Sequence, residues 1–200
     1  SGIVVTDHSG GMEGVQTAAC VGLLRDVPQE YEGIRIYRGT ETNIVNRKGE
    51  VDMPLRYLQF VEFAIASLHD NVICSVDQAH DTDAMIGALN NPYIDIIGHP
   101  GNPFFKIDIE AVVLEAKKQN KLIEINGHSF TARKGSRPNC QKFLQLCKKH
   151  GGASLSGRIR TTASASANLG LRWKRLRRQA SRRSSSSAGR RRVSRPIWQS

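Results

Sequence analysis

The feature that most constrains the fold is a repeated alternation of short apolar runs with segments of helical pattern. The apolar runs, each of which ends in polar residues, are Gly2–Val5, Ile34–Tyr37, Phe63–Ala66, Ile94–Ile97 and Leu122–Ile125. The predicted helices are Gly11–Leu24, Thr82–Leu89, Ile109–Gln119 and Pro138–Lys149. Apolar strands that alternate with helices indicate an α/β protein whose parallel sheet is covered on both faces. A barrel of βα units and a doubly wound sheet are both open at this point.

Chemically useful side chains occur where the predicted strands end. They are His8, Glu41, His69, His99 and, as a fifth candidate, His128. In parallel α/β folds the carboxyl ends of the strands meet at one edge, which is where functional sites gather. Imidazole nitrogens and a carboxylate are suitable ligands for zinc, manganese or iron. The pattern therefore predicts a metal site. The two remaining histidines, His80 and His150, lie in or beside predicted helices and are interpreted as structural.

The charge of the chain is divided unevenly between two segments. Of 29 lysines and arginines, 13 lie in residues 153–200, which contain no Asp or Glu, so residues 1–152 hold 16 basic and 18 acidic residues. We therefore predict a globular domain over 1–152 and a basic Arg/Ser-rich tail over 153–200. Nucleic-acid binding is not expected of the domain and would be confined to the tail.

Cysteine usage and hydropathy indicate the cellular compartment that we expect for the chain. The four cysteines form no C-x-x-C pair and no zinc-ribbon spacing, which is typical of reduced thiols in a cytoplasmic protein. No stretch approaches the roughly 18 consecutive apolar residues of a membrane span, so a membrane partner is not expected. No feature of the sequence indicates an oligomeric state.

Several motifs together resemble the PHP superfamily (polymerase and histidinol phosphatase), and within it most closely the YcdX-type phosphatases. They are TDHSGGMEG (6–14), GTETNI (39–44), SLHD (67–70), IIGHPGNP (96–103) and IEINGHSFTARKGSRPNC (123–140). The resemblance implies a distorted, TIM-like (β/α)7 barrel with three metal ions at the carboxyl ends of its strands. It also implies metal-assisted hydrolysis of phosphate esters, with divalent zinc as the expected metal and manganese or iron as alternatives.

The resemblance also implies a role for each matched ligand. His8 resembles a ligand of one metal of a close pair, and Glu41 resembles a carboxylate that bridges two metals. His69 and His99 resemble the residues that complete, with Glu41, the site of a third metal. These four residues are the predicted metal ligands.

Two further residues are candidates for substrate binding. Arg133 fits a loop that faces a phosphate, although a solvated loop charge is an equally good interpretation. His128 has no matching histidine in the family pattern. It is a candidate contact to the substrate or to one of the metal-coordinating residues. The predicted function is hydrolysis of a small phosphate monoester, with histidinol-phosphate phosphatase or PHP nuclease-type activity as alternatives.

Two departures from the family pattern lead to a hypothesis about the ends of the chain. The family begins with a strand that carries H-x-H, and a late strand closes in G-S-D-S-H, neither of which this chain shows. We therefore interpret the chain as a fragment with an incomplete barrel. Codons can be chosen for Ser156–Gly170 that also encode the missing D-S-H when they are read in a neighbouring frame. The hypothesis is that residues from about 155 onward are an out-of-frame translation, which the codons of the gene would test.

Two non-enzymatic interpretations remain open beside the enzyme. The tail can be an evolved disordered arm that binds RNA or DNA through counterion release. Alternatively, the chain can be an inactive remnant, because an incomplete barrel would leave open sheet edges and half-built metal sites. On this interpretation the family's intact protein is an enzyme, whereas this chain folds poorly and turns over slowly or not at all.

Overall fold

A sheet of parallel strands organises the part of the chain that the structure covers. The computed structural model describes residues 2–9, 24 and 26–157. Most of the predicted helix Gly11–Leu24 lies outside the described residues, and so do the predictions about the tail beyond residue 157.

The sheet contains seven strands, of which six form one parallel path. The strands are β1 (Gly2–His8), β2 (Glu30–Tyr31), β3 (Ile34–Asn43), β4 (Phe63–Ser67), β5 (Ile96–Ile97), β6 (Leu122–Asn126) and β7 (Ala153–Gly157). Their order is β1-β3-β4-β5-β6-β7 with every neighbouring pair parallel, while β2 pairs antiparallel with β3. The α/β class with a parallel sheet is thereby confirmed. Within the described residues the path ends at β1 and β7, and these two strands do not pair with each other.

Helices connect most of the strands and cover the sheet. They are α1 (Leu55–Leu58), α2 (Gln78–Asn90), α3 (Ile109–Lys118), α4 (Ser129–Ala132) and α5 (Ser136–His150). Asp77 and Asp108 cap α2 and α3 by accepting hydrogen bonds from backbone amides in the first turn, and Gly151 ends α5 in the left-handed conformation. Among the described residues, no helix is both long enough and apolar enough to span a membrane.

The main core lies between the sheet and the longer helices. Ile97 and Ile123 from the strands pack with Val112 of α3 and Phe143 of α5, and each of these side chains is at most 1% exposed. Burying a side chain of this size stabilises the fold by about 1.5–3 kcal/mol. The face that α3 buries consists of Ile109, Val112, Val113 and Ala116, which recur near the helical period.

Several strands differ by one to three residues from the predicted runs: β1 extends to His8 rather than Val5, and β5 is limited to Ile96–Ile97. Two further differences are larger. β3 runs to Asn43 rather than ending at Tyr37, because its polar residues continue the parallel pairing with β1 and β4. β7 was not predicted, since Ala153–Gly157 carries little apolar pattern and composition assigned it to the tail. Its backbone nevertheless pairs in register with β6, from Leu122 opposite Ala153 to Asn126 opposite Gly157. The sheet therefore continues five residues beyond the domain boundary drawn from composition.

A close approach of two backbones makes Gly87 of α2 a sensitive position. A Cβ atom at Gly87 would lie 2.0 Å from the carbonyl oxygen of Lys48. Alanine favours a helix over glycine by about 1 kcal/mol, yet we expect Gly87→Ala to lower the free energy of unfolding by about 1–3 kcal/mol because of this overlap. Urea unfolding measures the change, with Gly152→Ala as control because its nearest contacts would be 3.5 Å away. A stabilised Gly87→Ala variant would contradict the close approach.

A partly buried lysine gives the fold a dependence on alkaline pH. Burial lowers the pKa of Lys121 to about 8, although the negative charges of Asp95 and Glu115 oppose this shift. The Nζ atom of Lys121 donates a hydrogen bond to the carbonyl of Asn91. Unfolded lysine titrates near 10.4, so between about pH 8 and 10.4 the unfolded chain binds more protons and stability rises with pH. We expect this rise, about 2–3 kcal/mol, to disappear in Lys121→Met when unfolding is measured from pH 7.5 to 10.5. Parallel stability curves for the two proteins would contradict the lowered pKa.

Candidate metal centre

The parallel register brings the predicted ligands to one edge of the sheet. His8 is the last residue of β1 and pairs with Glu41 of β3. His69 and His99 each stand two residues beyond the ends of β4 and β5, which follow β3 in the sheet. Because neighbouring strands end at the same edge, residues that are distant in sequence contact one another there. The structure thus brings together all four side chains that were predicted as metal ligands.

Three of these side chains are spaced like the ligands of a tetrahedral cation. Nε2 of His99 lies 3.1 Å from Oε1 of Glu41 and 3.2 Å from Nε2 of His69, and the remaining His69–Glu41 separation is 3.5 Å. Ligands held 2.0–2.1 Å from a tetrahedral zinc ion lie about 3.3 Å apart. All three residues are buried, with exposed fractions of 8% or less. This donor set and spacing fit zinc or a similar divalent ion.

His8 joins the cluster on the other side of the same carboxylate. Its Nε2 lies 3.9 Å from Oε2 of Glu41, and the ligand atoms of His8, Glu41 and His69 all lie within 4.8 Å of one another. The Nδ1 atom of His8 is buried and has no hydrogen-bond partner among the described residues. Oε1 of Glu41 thus faces two histidines and Oε2 faces a third, an arrangement in which one carboxylate can contact two cations.

Hydrogen bonds orient His69 for coordination. Asn43 holds its amide nitrogen toward Asp52 at 2.7 Å, which turns its Oδ1 toward Nδ1 of His69 at 2.6 Å. Because Oδ1 can only accept, Nδ1 of His69 carries the proton and Nε2 presents a lone pair to the cluster. Asp52 in turn accepts a hydrogen bond from Ser9 at 2.5 Å.

The ionisation of Glu41 suits a cation site. Burial by itself raises the pKa of Glu41, but its side-chain contacts with His69 and His99 and the charges of His99 and His8 hold that pKa well below its usual value. The hydroxyl of Ser67 also donates to Oε1 at 2.7 Å. Glu41 is therefore a carboxylate at neutral pH, and it brings negative charge among three imidazoles.

A second glutamate, the half-buried Glu124, positions the backbone of His99. His99 has a positive φ of 29°, which is unusual for a residue with a side chain. Its backbone amide donates to Oε2 of Glu124 at 2.9 Å, and burial raises the pKa of Glu124 while this bond partly opposes the rise. The preceding residue must be glycine, because a Cβ at Gly98 would lie 2.1 Å from Oγ of Ser67.

The two candidate substrate residues lie beside the cluster rather than within it. The guanidinium of Arg133 donates to Oγ of Ser129 at 3.0 Å and lies 3.3 Å from Nε2 of His99. His128 is exposed and lines a cleft together with Arg133. The histidines interpreted as structural pair elsewhere: His80 with Asp81 at 3.1 Å and His150 with Glu110 at 2.6 Å.

Sequence reasoning missed the residues that support the ligands. Asn43, Ser67 and Glu124 hold His69, Glu41 and His99 respectively. One signal was available for Glu124, because it is the only charged residue in the apolar run Leu122–Ile125. Asn43 and Ser67 are ordinary polar residues at strand ends, and only the sheet register shows what they contact.

The chain is similar in sequence to proteins named phosphatases, although no family model matches it. The chain is 46% identical over 147 residues to a protein named "Probable phosphatase" from Acetivibrio thermocellus, covering 74% of this chain and 61% of that protein. It is 48% identical over 150 residues to a "Probable phosphatase" from Caldicellulosiruptor bescii, covering 75% and 62% respectively. The chain therefore spans about three fifths of the length of these curated relatives.

Solved structures show a more distant likeness. A chain from the cryo-EM structure of an archaeal ribonuclease P with mature tRNA superposes with a TM-score of 0.50 at 12% identity, covering 98% of this chain and 88% of that one. At this identity the likeness concerns the fold. A histidinol phosphate phosphatase from Lactococcus lactis, solved with zinc, L-histidinol and phosphate, gives a TM-score of 0.47 at 17% identity, covering 88% and 81%. Over about three quarters of its length, then, the chain is similar in sequence to proteins named probable phosphatases.

Proposed function

We propose that this chain carries the metal site of a PHP-type phosphatase that hydrolyses a small phosphate monoester. The observation that carries the proposal is the triad of Glu41, His69 and His99, whose ligand atoms have the mutual spacing of a tetrahedral metal site. The relatives named probable phosphatases support the same activity. His8 is the proposed ligand of a second ion on the other oxygen of Glu41.

The side chains of the site suit a dianionic substrate. A divalent cation supplies a bound water of lowered pKa and neutralises charge on phosphoryl oxygens. In the proposed site, Arg133 donates hydrogen bonds to phosphoryl oxygens beside the cluster, since its guanidinium already lies 3.3 Å from His99. Asn43 keeps His69 in the tautomer that leaves Nε2 unprotonated, and Ser67 holds the Glu41 carboxylate that would contact the metal.

The setting we propose for this activity is the cytoplasm. Cys74, Cys140 and Cys147 are free thiols, and burial raises the pKa of the latter two, which keeps them protonated and unreactive. A small phosphorylated metabolite is the proposed substrate, and the basic tail remains the only proposed contact to nucleic acid.

Metal removal tests the proposed function. The 200-residue chain, purified and loaded with zinc or manganese, should hydrolyse p-nitrophenyl phosphate. Dialysis against a chelator should abolish turnover, and re-addition of the metal should restore it, with bound metal measured by mass spectrometry on the same samples. Hydrolysis that persists in metal-free protein would contradict the proposed metal site. Absence of turnover in protein shown to hold metal would contradict the proposed phosphatase activity.

A further inference from the structure

A cleft of about 570 Å³ opens beside the metal cluster and has walls of mixed chemistry. Asp70 contributes a carboxylate, Arg133 and Lys134 contribute cations, and Phe104 contributes an aromatic ring, with Asn102 and His128 also in the lining. A cleft of this size is large enough for a small organic molecule.

Two lining residues connect the cleft to the cluster. Asp70 directly follows His69 in the chain, and the guanidinium of Arg133 lies 3.3 Å from Nε2 of His99. A phosphoryl group held at the cluster and by Arg133 would therefore lie next to the cleft, within reach of an organic group bound there.

Two of the charged groups of the cleft, Asp70 and Lys134, are available to a ligand. Within the described residues, the carboxylate of Asp70 and the ammonium of Lys134 make no hydrogen bond or ion pair, either with each other or with a neighbour. Opposite charges that face one cleft without a partner favour a ligand that presents both an anionic group and a hydrogen-bond donor.

The aromatic wall is held in its exposed position by its surroundings. Phe104 is 50% exposed, while the adjacent Phe105 is 2% exposed and contacts the Phe104 ring edge-on at 5.0 Å between centroids. The backbone amide of Phe104 donates to Oδ1 of Asn102 at 3.2 Å. The anchored loop thus keeps an apolar surface at the cleft that can contact the carbon skeleton of a ligand.

We propose that this cleft binds the leaving group of the phosphate monoester, and that Asp70 selects leaving groups carrying a hydroxyl or an amine. The carbon skeleton of the leaving group contacts Phe104, and its donor group is bound by the Asp70 carboxylate. This inference rests on the proposed phosphatase function, because it assigns the alcohol side of the same substrate.

A matched series of three esters tests the selectivity: propyl phosphate, 3-hydroxypropyl phosphate and 3-aminopropyl phosphate. Because hydrogen bonds to charged groups are stronger than neutral ones, the metal-loaded wild type should show a kcat/KM about tenfold or more higher for an ester with a donor than for propyl phosphate. A preference for the amine identifies charge pairing, and an equal preference for both donors identifies hydrogen bonding. Equal kcat/KM for all three esters would overturn the inference.

Variants at Asp70 assign the preference to its carboxylate. In Asp70→Ala the kcat/KM ratio of 3-aminopropyl to propyl phosphate should fall to near one, whereas Asp70→Asn should keep a hydroxyl preference and lose an amine preference. Glu30→Ala is the matched control, because Glu30 is exposed on β2 beside the amino end of β3, away from the cluster edge. An Asp70→Ala ratio equal to that of the wild type would contradict the assignment.

Binding measurements separate this inference from the proposed function. Calorimetric titration of the three esters into metal-loaded protein reports selectivity even if none of them is hydrolysed. Selective binding without turnover would refute the phosphatase proposal and support the cleft. Turnover with equal affinity and equal kcat/KM for the three esters would support the phosphatase proposal and refute the role of the cleft.

Discussion

Replacement of Glu41 by glutamine should reduce zinc affinity by about 100-fold or more and abolish hydrolysis of p-nitrophenyl phosphate. Glutamine has nearly the same shape but carries no charge, and Glu41 is the carboxylate that faces His69, His99 and His8. Loss of a residue that merely supports a ligand typically costs 10–100-fold in metal affinity, so loss of a shared ligand should cost at least as much.

The measurement compares zinc titration and bound metal in the wild type, Glu41→Gln and a control. Glu110→Gln is a suitable control because Glu110 also contacts a histidine, His150 at 2.6 Å, on the exposed surface of α3. The control should bind zinc like the wild type. Unchanged zinc affinity in Glu41→Gln would show that the cluster is not the metal site.

Replacement of Glu124 by leucine should weaken zinc binding about 10–100-fold, the typical cost of losing a residue that supports a metal ligand. Its carboxylate accepts a hydrogen bond from the backbone amide of His99. His99 has a positive φ of 29°. This conformation costs on the order of 1–2 kcal/mol for a residue with a side chain. Without the acceptor, the buried amide would lose its partner, and we expect the backbone to relax and move the imidazole away from Glu41 and His69.

Glu124→Gln is the matched variant, because the side-chain oxygen of glutamine can still accept a hydrogen bond from the backbone amide of His99. Zinc affinity in Glu124→Gln should stay within a few-fold of the wild type. Chemical unfolding in the presence of a chelator should show a loss of about 1–3 kcal/mol for Glu124→Leu, the cost of an unsatisfied buried donor. Equal zinc affinities in the leucine and glutamine variants would contradict the positioning role.

The site illustrates which residues a sequence pattern can identify. His8, Glu41, His69 and His99 were selected because each follows an apolar run, and parallel strands must end at one edge. The distances among them depend on the pairing of Glu41 with His8 and with Ile65 in the register of β1, β3 and β4. Their role as ligands is still a prediction, which the Glu41 variant tests.

Residues that act through the backbone or through a second side chain could not be identified in this way. Glu124 bonds to an amide 25 residues earlier in the chain, and Asn43 bonds to a histidine 26 residues later. Neither contact has a local pattern, because each is created when separate strands come together. The same reason explains β7, whose five residues are ordered by backbone pairing with β6 rather than by their own apolar pattern.

By itself, the sequence determined the α/β class, the approximate positions of five strands and the edge at which the histidines and Glu41 meet. Those properties follow from local periodicity and from the rule that parallel strands share one carboxyl edge. Only the tertiary structure decided the 3.1–3.5 Å spacing of the triad, the support of His99 by Glu124 and the cleft that joins Asp70 to Arg133. These depend on strand register and side-chain packing between distant segments, which no local pattern specifies.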